Sequence, residues 1–195
     1  MMNSQAMDRR AFVARLIEAL PDALIVTGLG SSAYDVFAAG DRDRIFYLWG
    51  AMGGATPIGL GLALARPDQQ VVVITGDGEM LMGLGSLATI AAKQPPNLTL
   101  VVLDNGHYGE TGMQRSHTAL GTDLVAVARG CGLPQALVCK DLSEGESVAQ
   151  RIQARQGPLL VQAKVLADEP PRVLPPRDGP FIKNRFRAAL GLQPF

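Results

Sequence analysis

Apolar residues run through this chain in two rhythms. Between positions 7 and 20, Phe12, Leu16, Ile17 and Leu20 recur at helical spacing, and Pro21-Asp22 stops the run, so the pattern predicts an amphipathic helix. The leading few residues read as disordered. The second rhythm is unbroken apolar stretches of strand length. "ALIVTG" (23–28), "RIFYLW" (44–49), "QVVVITG" (70–76), "LTLVVLDN" (98–105), "QALVCK" (135–140) and "PLLVQAKV" (158–165) have this form. Continuous rather than alternating apolarity predicts strands covered on both faces. Helical segments fill the gaps: one after "GLGSS", which Ser31 or Ser32 can cap, then a glycine-rich turn followed by a helix within 50–67, and helices at 82–94, 122–132 and 142–156.

Strand and helix therefore alternate from end to end. That order implies a three-layer α/β/α fold with a mostly parallel sheet of about six strands. The domain is expected to occupy residues 1–167. From Asp168 to Gly179 the composition changes to proline and charge, "DEPPRVLPPRDG", which reads as an extended, poorly packed segment. "PFIKNRFRAALGL" then predicts a terminal helix, and the 168–195 extension is expected to dock on a partner subunit.

Bulk properties narrow the function. The 195 residues are 47% apolar and carry 18 basic and 18 acidic groups, so formal charge is zero. Nothing favours nucleic acid or an anionic membrane as a partner. No apolar run reaches membrane-spanning length, and no secretory leader is visible. Cys131 and Cys139 suggest neither a disulfide framework nor a metal cluster, and a cytoplasmic location is expected.

The chemistry gathers where strands end. "VVVITGDGEMLMG" sets Asp77 between Gly76 and Gly78, and "LTLVVLDNGHYGETG" ends its strand in Asp104-Asn105-Gly106. Open α/β sheets bind ligands at the carboxyl ends of their strands. One strand–helix–strand unit separates Asp77 from Asn105, so their strands can be neighbours. A carboxylate, an amide oxygen and a backbone carbonyl form a hard-oxygen set suited to magnesium or calcium. Flanking glycines let backbone N–H groups approach a diphosphate. These residues thus describe a metal–diphosphate site. No GxxxxGK[ST] competes with it, and "TGLGSSA" is a poor GxGxxG.

Gly-Asp-Gly, followed after 26 residues by Asn105, resembles the motif of thiamine-diphosphate enzymes. "LWGAMGGATPIGLGLALARPDQQVVVITGDGEMLMGLGSLATIA" and "LDNGHYGETGMQ" extend the likeness to phosphonopyruvate decarboxylases, in their C-terminal half, and to the beta subunit of sulfopyruvate decarboxylases. The resemblance covers roughly residues 8–165. It implies that Asp77, Asn105 and the backbone carbonyl of His107 hold magnesium. It implies diphosphate contacts from Gly76, Gly78, Glu79 and the Gly30-Ser31-Ser32 loop, with Tyr108 and Gly109 beside the cofactor. Relatives often carry Ser or Ala where this chain has Glu79. An acid there must point away from a diphosphate or pair with a cation. Met52 would sit under the cofactor and force its bent shape, and the carbonyl of Gly50 would meet the pyrimidine amine.

Met52 and His107 are the candidate catalytic residues, His107 as a proton shuttle. His117 reads as a surface residue. Tyr108, Glu110, Thr111 and Gln114 are candidate pocket residues, and Arg115 a candidate partner for a substrate acid group. The glutamate that promotes ylide formation in such enzymes belongs to a pyrimidine-binding module that this chain does not contain. An alpha subunit is expected to supply it, in an α2β2 or larger assembly, with the small-residue helix at 53–65 at the interface. The implied activity is non-oxidative decarboxylation of a 3-substituted pyruvate. The alternatives are another thiamine enzyme, an oxidoreductase or carboligase, or a non-catalytic cofactor-binding regulator.

Overall fold

A computed structural model describes residues 6–193. The leading disordered stretch expected from the sequence falls on residues 1–5, outside the described residues. The first helix, α1 (Arg9–Ala19), begins at Asp8, whose carboxylate accepts from the Ala11 amide at 2.6 Å. Then follow β1 (Leu24–Thr27), α2 (Ser31–Ala38), β2 (Ile45–Tyr47), α3 (Ala55–Ala65) and β3 (Val71–Gly76). Two short helices, α4 (Asp77–Met82) and α5 (Ser86–Lys93), lead to β4 (Leu98–Asp104). A small hairpin, β5 (His107–Tyr108) and β6 (Gln114–Arg115), precedes α6 (Leu124–Gly130), β7 (Ala136–Cys139), α7 (Leu142–Gln153), β8 (Leu159–Lys164) and α8 (Gly179–Ala189).

Six strands form one sheet in the order β2-β1-β3-β4-β8-β7, every pairing parallel. The expected three-layer fold is borne out. Side chains alternate across the sheet and build two separate cores. Ile25, Val72, Ile74, Val101 and Val161 pack with Phe12, Leu16 and Ile17 of α1 and with Val36, Val148 and Ile152 of α2 and α7. Leu24, Val26, Val71, Val73, Leu100 and Leu160 pack with Leu60, Leu87, Ile90 and Leu124 of α3, α5 and α6.

Three local features differ from the sequence reading. Neither Ser31 nor Ser32 caps α2 with its side chain. The N-cap is Gly30, at φ 76°, and the Ser32 hydroxyl instead donates back to the Leu29 carbonyl at 3.3 Å. The helix expected over 82–94 is two helices. The first starts at Asp77 itself, and the Gly83-Leu84-Gly85 turn separates it from the second. Residues 106–121, to which the sequence pattern assigned no element, contain the β5–β6 hairpin and two turns of 3₁₀ helix, Gly109–Thr111 and His117–Leu120.

Beyond Asp168 the chain runs without regular structure to α8, which lies along β2 of its own sheet. Ile182 and Phe186 are buried there, and the Phe186 ring meets Phe46 edge-on at 5.7 Å. Arg185 reaches Asp41 at 2.6 Å, and the Trp49 indole donates to the Pro176 carbonyl at 2.6 Å.

Candidate functional site

The strand order changes direction between β1 and β3, and the crevice at that point is where open α/β sheets take ligands. The loops after β1, β3 and β4 meet there. Their recess is lined by Ser31, Ser32, Met52, Gly76, Asp77, Gly78, Glu79, Asn105, His107, Tyr108 and Gly109, with Arg9, Leu29, Leu103, Glu110 and Thr111 completing the wall. Most of the site residues expected from the sequence are therefore brought together. Gly30 and Gly50 are not on the wall: Gly30 is the N-cap of α2, and Gly50, at φ 73°, faces open space. Gln114 and Arg115 lie outside it too, exposed on β6, where the Arg115 guanidinium bonds the Ala119 carbonyl. His117 is exposed, as expected.

The register of β3 and β4 pairs Gly76 with Leu103, which brings Asp77 alongside Asp104. Both acids are 2% exposed. Asp77 Oδ2 accepts from the Ser116 hydroxyl and lies 3.1 Å from Thr118 Oγ1, while Oδ1 accepts no bond from another of the described residues. Thr118 Oγ1 also lies 2.7 Å from Asp104 Oδ1. One hydroxyl proton cannot serve both carboxylates, and the shorter contact goes to Asp104. Burial, aided by the charge of Asp104, holds the Asp77 carboxyl above the usual carboxylate range against the pull of the two hydroxyls. Asp104 goes the other way. Burial opposes its ionisation, but Lys164, Thr118 and Gln162 (2.6 Å) outweigh that and hold its carboxyl below the usual range.

A depressed carboxyl stabilises the fold above its unfolded value of about 3.9, and that contribution disappears as pH falls through the lower folded value. Asp104→Asn is therefore expected to lower stability at pH 7 by about 1–2 kcal/mol, the Lys164 share discounted because that side chain is partly exposed. The variant should also lose less stability than wild type between pH 5 and pH 2. Urea melts across this range check both.

Asn105 Oδ1 accepts from the His107 amide at 2.9 Å, leaving a second lone pair. The His107 ring places Nδ1 2.8 Å from the Asn105 carbonyl. A carbonyl only accepts, so Nδ1 carries the proton and Nε2 is the basic nitrogen. Glu79 turns away from Asp77. Its Oε2 accepts from the Leu29 amide at 2.9 Å and its Oε1 from the Ala55 amide at 3.3 Å, so one carboxylate ties the loop after β1 to the start of α3. The acid beside the site is thereby occupied by backbone N–H groups. The Tyr108 ring lies against Gly78, where an added Cβ would come within 2.5 Å of Cε1. Met52 is 43% exposed at the mouth of the recess.

Among the described residues no group of three His, Cys, Asp or Glu side chains could hold a metal. A cation at this site would rest on one carboxylate, an amide oxygen and a carbonyl, which is a set for a hard ion that keeps other oxygens. The buried Asp77, with Oδ1 open, fits that requirement. So do the first turns of α2 and α4, neither of which has a side-chain cap, for an anion beside the metal. Sequence reasoning missed Ser116, Thr118, Gln162 and Lys164. Gln162 and Lys164 left one signal, two polar residues at alternate positions of an otherwise apolar strand. Ser116 and Thr118 left none.

A parallel α/β sheet with this acid and amide at adjacent strand ends defines a diphosphate-binding module. Residues 31–163 match the model of the thiamine pyrophosphate enzyme, C-terminal TPP-binding domain, and the chain belongs to that family. It is 40% identical over 188 residues to phosphonopyruvate decarboxylase of Streptomyces viridochromogenes, covering 95% of this chain and 47% of that one. It is 49% identical over 110 residues to sulfopyruvate decarboxylase subunit beta of Methanocaldococcus jannaschii, covering 56% and 58%. The chain thus spans about half the length of these curated relatives. Among solved structures, Rhodococcus jostii 4-hydroxybenzoylformate decarboxylase superposes with TM-score 0.70 at 23% identity, covering 85% of this chain and 34% of that one, which is a likeness of fold.

Proposed function

We propose that this chain is the beta-type subunit of a thiamine-diphosphate- and magnesium-dependent 2-oxoacid decarboxylase. Its reaction is the non-oxidative conversion of a 3-substituted pyruvate, of the sulfopyruvate or phosphonopyruvate kind, to an aldehyde and CO2. The observation that carries this reading is the buried Asp77 beside Asn105, in a chain similar over 95% of its length to a phosphonopyruvate decarboxylase. In this reading Asp77, Asn105 and the His107 carbonyl hold magnesium. Ser31, Ser32, Gly76, Gly78 and the backbone of Glu79 receive the diphosphate, with Gly30 shaping their turn and Tyr108 and Gly109 closing over it. The bound cofactor supplies the electron sink for carbanion chemistry.

Met52 supports the cofactor's shape from the mouth of the site, and Gly50 presents its carbonyl there. His107 Nε2 is free to accept or return a proton beside the pocket. An alpha subunit supplies the pyrimidine-binding module and its glutamate, in an α2β2 or larger assembly. Relatives named as subunit beta support that partner. So does the outer face of α3, where Pro57, Ile58, Gly61 and Leu64 are exposed. A helix apolar on both faces is expected to be covered on both. No described helix is long and apolar enough to cross a membrane. A cytoplasmic location belongs to the same reading, in keeping with free Cys131 and Cys139.

The test is to combine the chain with its alpha partner, thiamine diphosphate and magnesium. Sulfopyruvate, phosphonopyruvate and pyruvate are then offered and CO2 is measured. Release from an acid-bearing substrate, faster than from pyruvate, is the expected result. No release from any of them, with both chains folded, overturns the reading.

A further inference from the structure

Arg9 is the first residue of α1 and lies outside the span matched by the family model. It is a cation with 4% of its surface exposed, and that remaining surface lines the candidate site. Its Nε donates to Asp35 Oδ2, on the second turn of α2. Among the described residues, neither terminal nitrogen of its guanidinium has a hydrogen-bond partner. Those two nitrogens keep the residue's remaining solvent contact in the recess, so a charged fork of donors is open to an anion there.

Asp35 is the one carboxylate that bonds Arg9 among the described residues. Asp35, fully buried, also receives Arg10 Nε at 3.1 Å, so one carboxylate serves two guanidiniums. Glu110, the other acid close by, pairs with Arg172 at 3.5 Å. Asp168 and Glu169 stand at the outer rim and are exposed.

A second, independent feature converges on the same place. The first turn of α2, with Ser32 and Ala33 buried, has no side-chain cap. Ser31 and Ser32 of this turn line the same recess as Arg9, and a helix N-terminus and a guanidinium both favour an anion. The position along the site is also fixed. Arg9, Ser31 and Asn105 border both the main recess and a smaller one behind it, whereas Met52, Gly76 and Gly78 border only the first. Arg9 therefore stands at the end of the site remote from Met52.

We propose that Arg9 binds the outer phosphate of the diphosphate, held in aim by Asp35, beside the metal at Asp77 and Asn105. This rests on the diphosphate reading of the site given above. It assigns a binding role to α1, which packs on the domain from outside the strand ends that carry the motif. Lysine would keep the charge and lose the planar fork.

The experiment is calorimetric titration of the full chain with magnesium and either inorganic pyrophosphate or inorganic phosphate. Pyrophosphate carries only the diphosphate of the cofactor, which this chain is read to hold by itself, so no partner subunit is needed. Arg9→Met removes the donor and leaves the buried Asp35 to Arg10 alone. The double variant Arg9→Met/Asp35→Asn removes both charges, and thermal melts establish that it is folded. Wild type is expected to bind pyrophosphate more tightly than phosphate. In the double variant pyrophosphate affinity should fall about 10- to 100-fold, with the preference over phosphate lost. Arg9→Lys should fall between. Unchanged pyrophosphate affinity in a folded double variant overturns the role of Arg9 and leaves the function reading intact. Wild type that binds neither probe overturns the diphosphate site itself.

Discussion

Asp77→Asn is expected to abolish magnesium-dependent binding of thiamine diphosphate while making the ligand-free protein slightly more stable at neutral pH. The two effects have one cause. The carboxyl is buried, its neighbour Asp104 is an acid, and its folded value is raised. A group raised in the folded state stabilises most below its unfolded value of about 3.9. That contribution is lost as pH rises through the folded value, so at pH 7 the ionised Asp77 is a cost to the empty protein. Asn is nearly isosteric, can still face Ser116 and Thr118, and carries no charge. A divalent cation would offset the cost in wild type, and the variant would offer it only neutral oxygens. Loss of a metal-binding carboxylate should exceed the roughly 10- to 100-fold penalty typical of losing an outer partner. Thermal melts with and without magnesium, and calorimetric titration, read the two halves separately. A variant that is less stable when empty, or that still binds the metal–diphosphate pair, contradicts the assignment of Asp77.

Gly83→Ala is expected to be strongly damaging for a single added methyl near the site. The turn between α4 and α5 touches the loop that carries Met52 backbone to backbone. A Cβ on Gly83 would lie 2.5 Å from the Gly53 carbonyl oxygen and 3.0 Å from Gly53 Cα. Neither neighbour is a flexible side chain, so the loop at 50–54 must move. Gly53 is at φ 89° and cannot readily be exchanged for a residue that restores the fit. Overpacking of this kind costs about 1–3 kcal/mol. The functional loss should be larger than that figure suggests, because the displaced loop is the one that presents Met52. Melting temperature gives the first quantity. Cofactor affinity and turnover of the assembled enzyme give the second, with Gly85→Ala as control, since its Cβ would meet open space. Equal effects at both glycines would remove the argument.

How much of this was legible beforehand follows from where the information sits. The apolar runs announced all six strands of the main sheet, because a strand buried on both faces needs apolar residues at every position. Asp77 and Asn105 were legible for the same reason: each interrupts the pattern at a strand end. Ser31 and Ser32 looked like caps because hydroxyls usually serve there. Gly30 took the position because the chain needed positive φ, which composition does not reveal. The break at Gly83-Leu84-Gly85 was hidden by an apolar pattern that runs on through it.

Glu79 shows the limit most clearly. Its type raised a question about repulsion that only the approach of the Leu29 and Ala55 amides answered, from loops 50 and 24 positions away. Arg9 was read merely as part of a helix. Its burial, its bond to Asp35 and its place on the site wall come from α1 and α2 packing on the same face of the sheet. By itself, then, the sequence determined the order of elements, the sheet type, the family and the two residues that mark the site, since each is written in local pattern and spacing. The tertiary structure alone decided which polar groups share those acids, which way Glu79 turns and which cation faces the pocket. Those depend on contacts between residues far apart in the chain, and no local pattern encodes them.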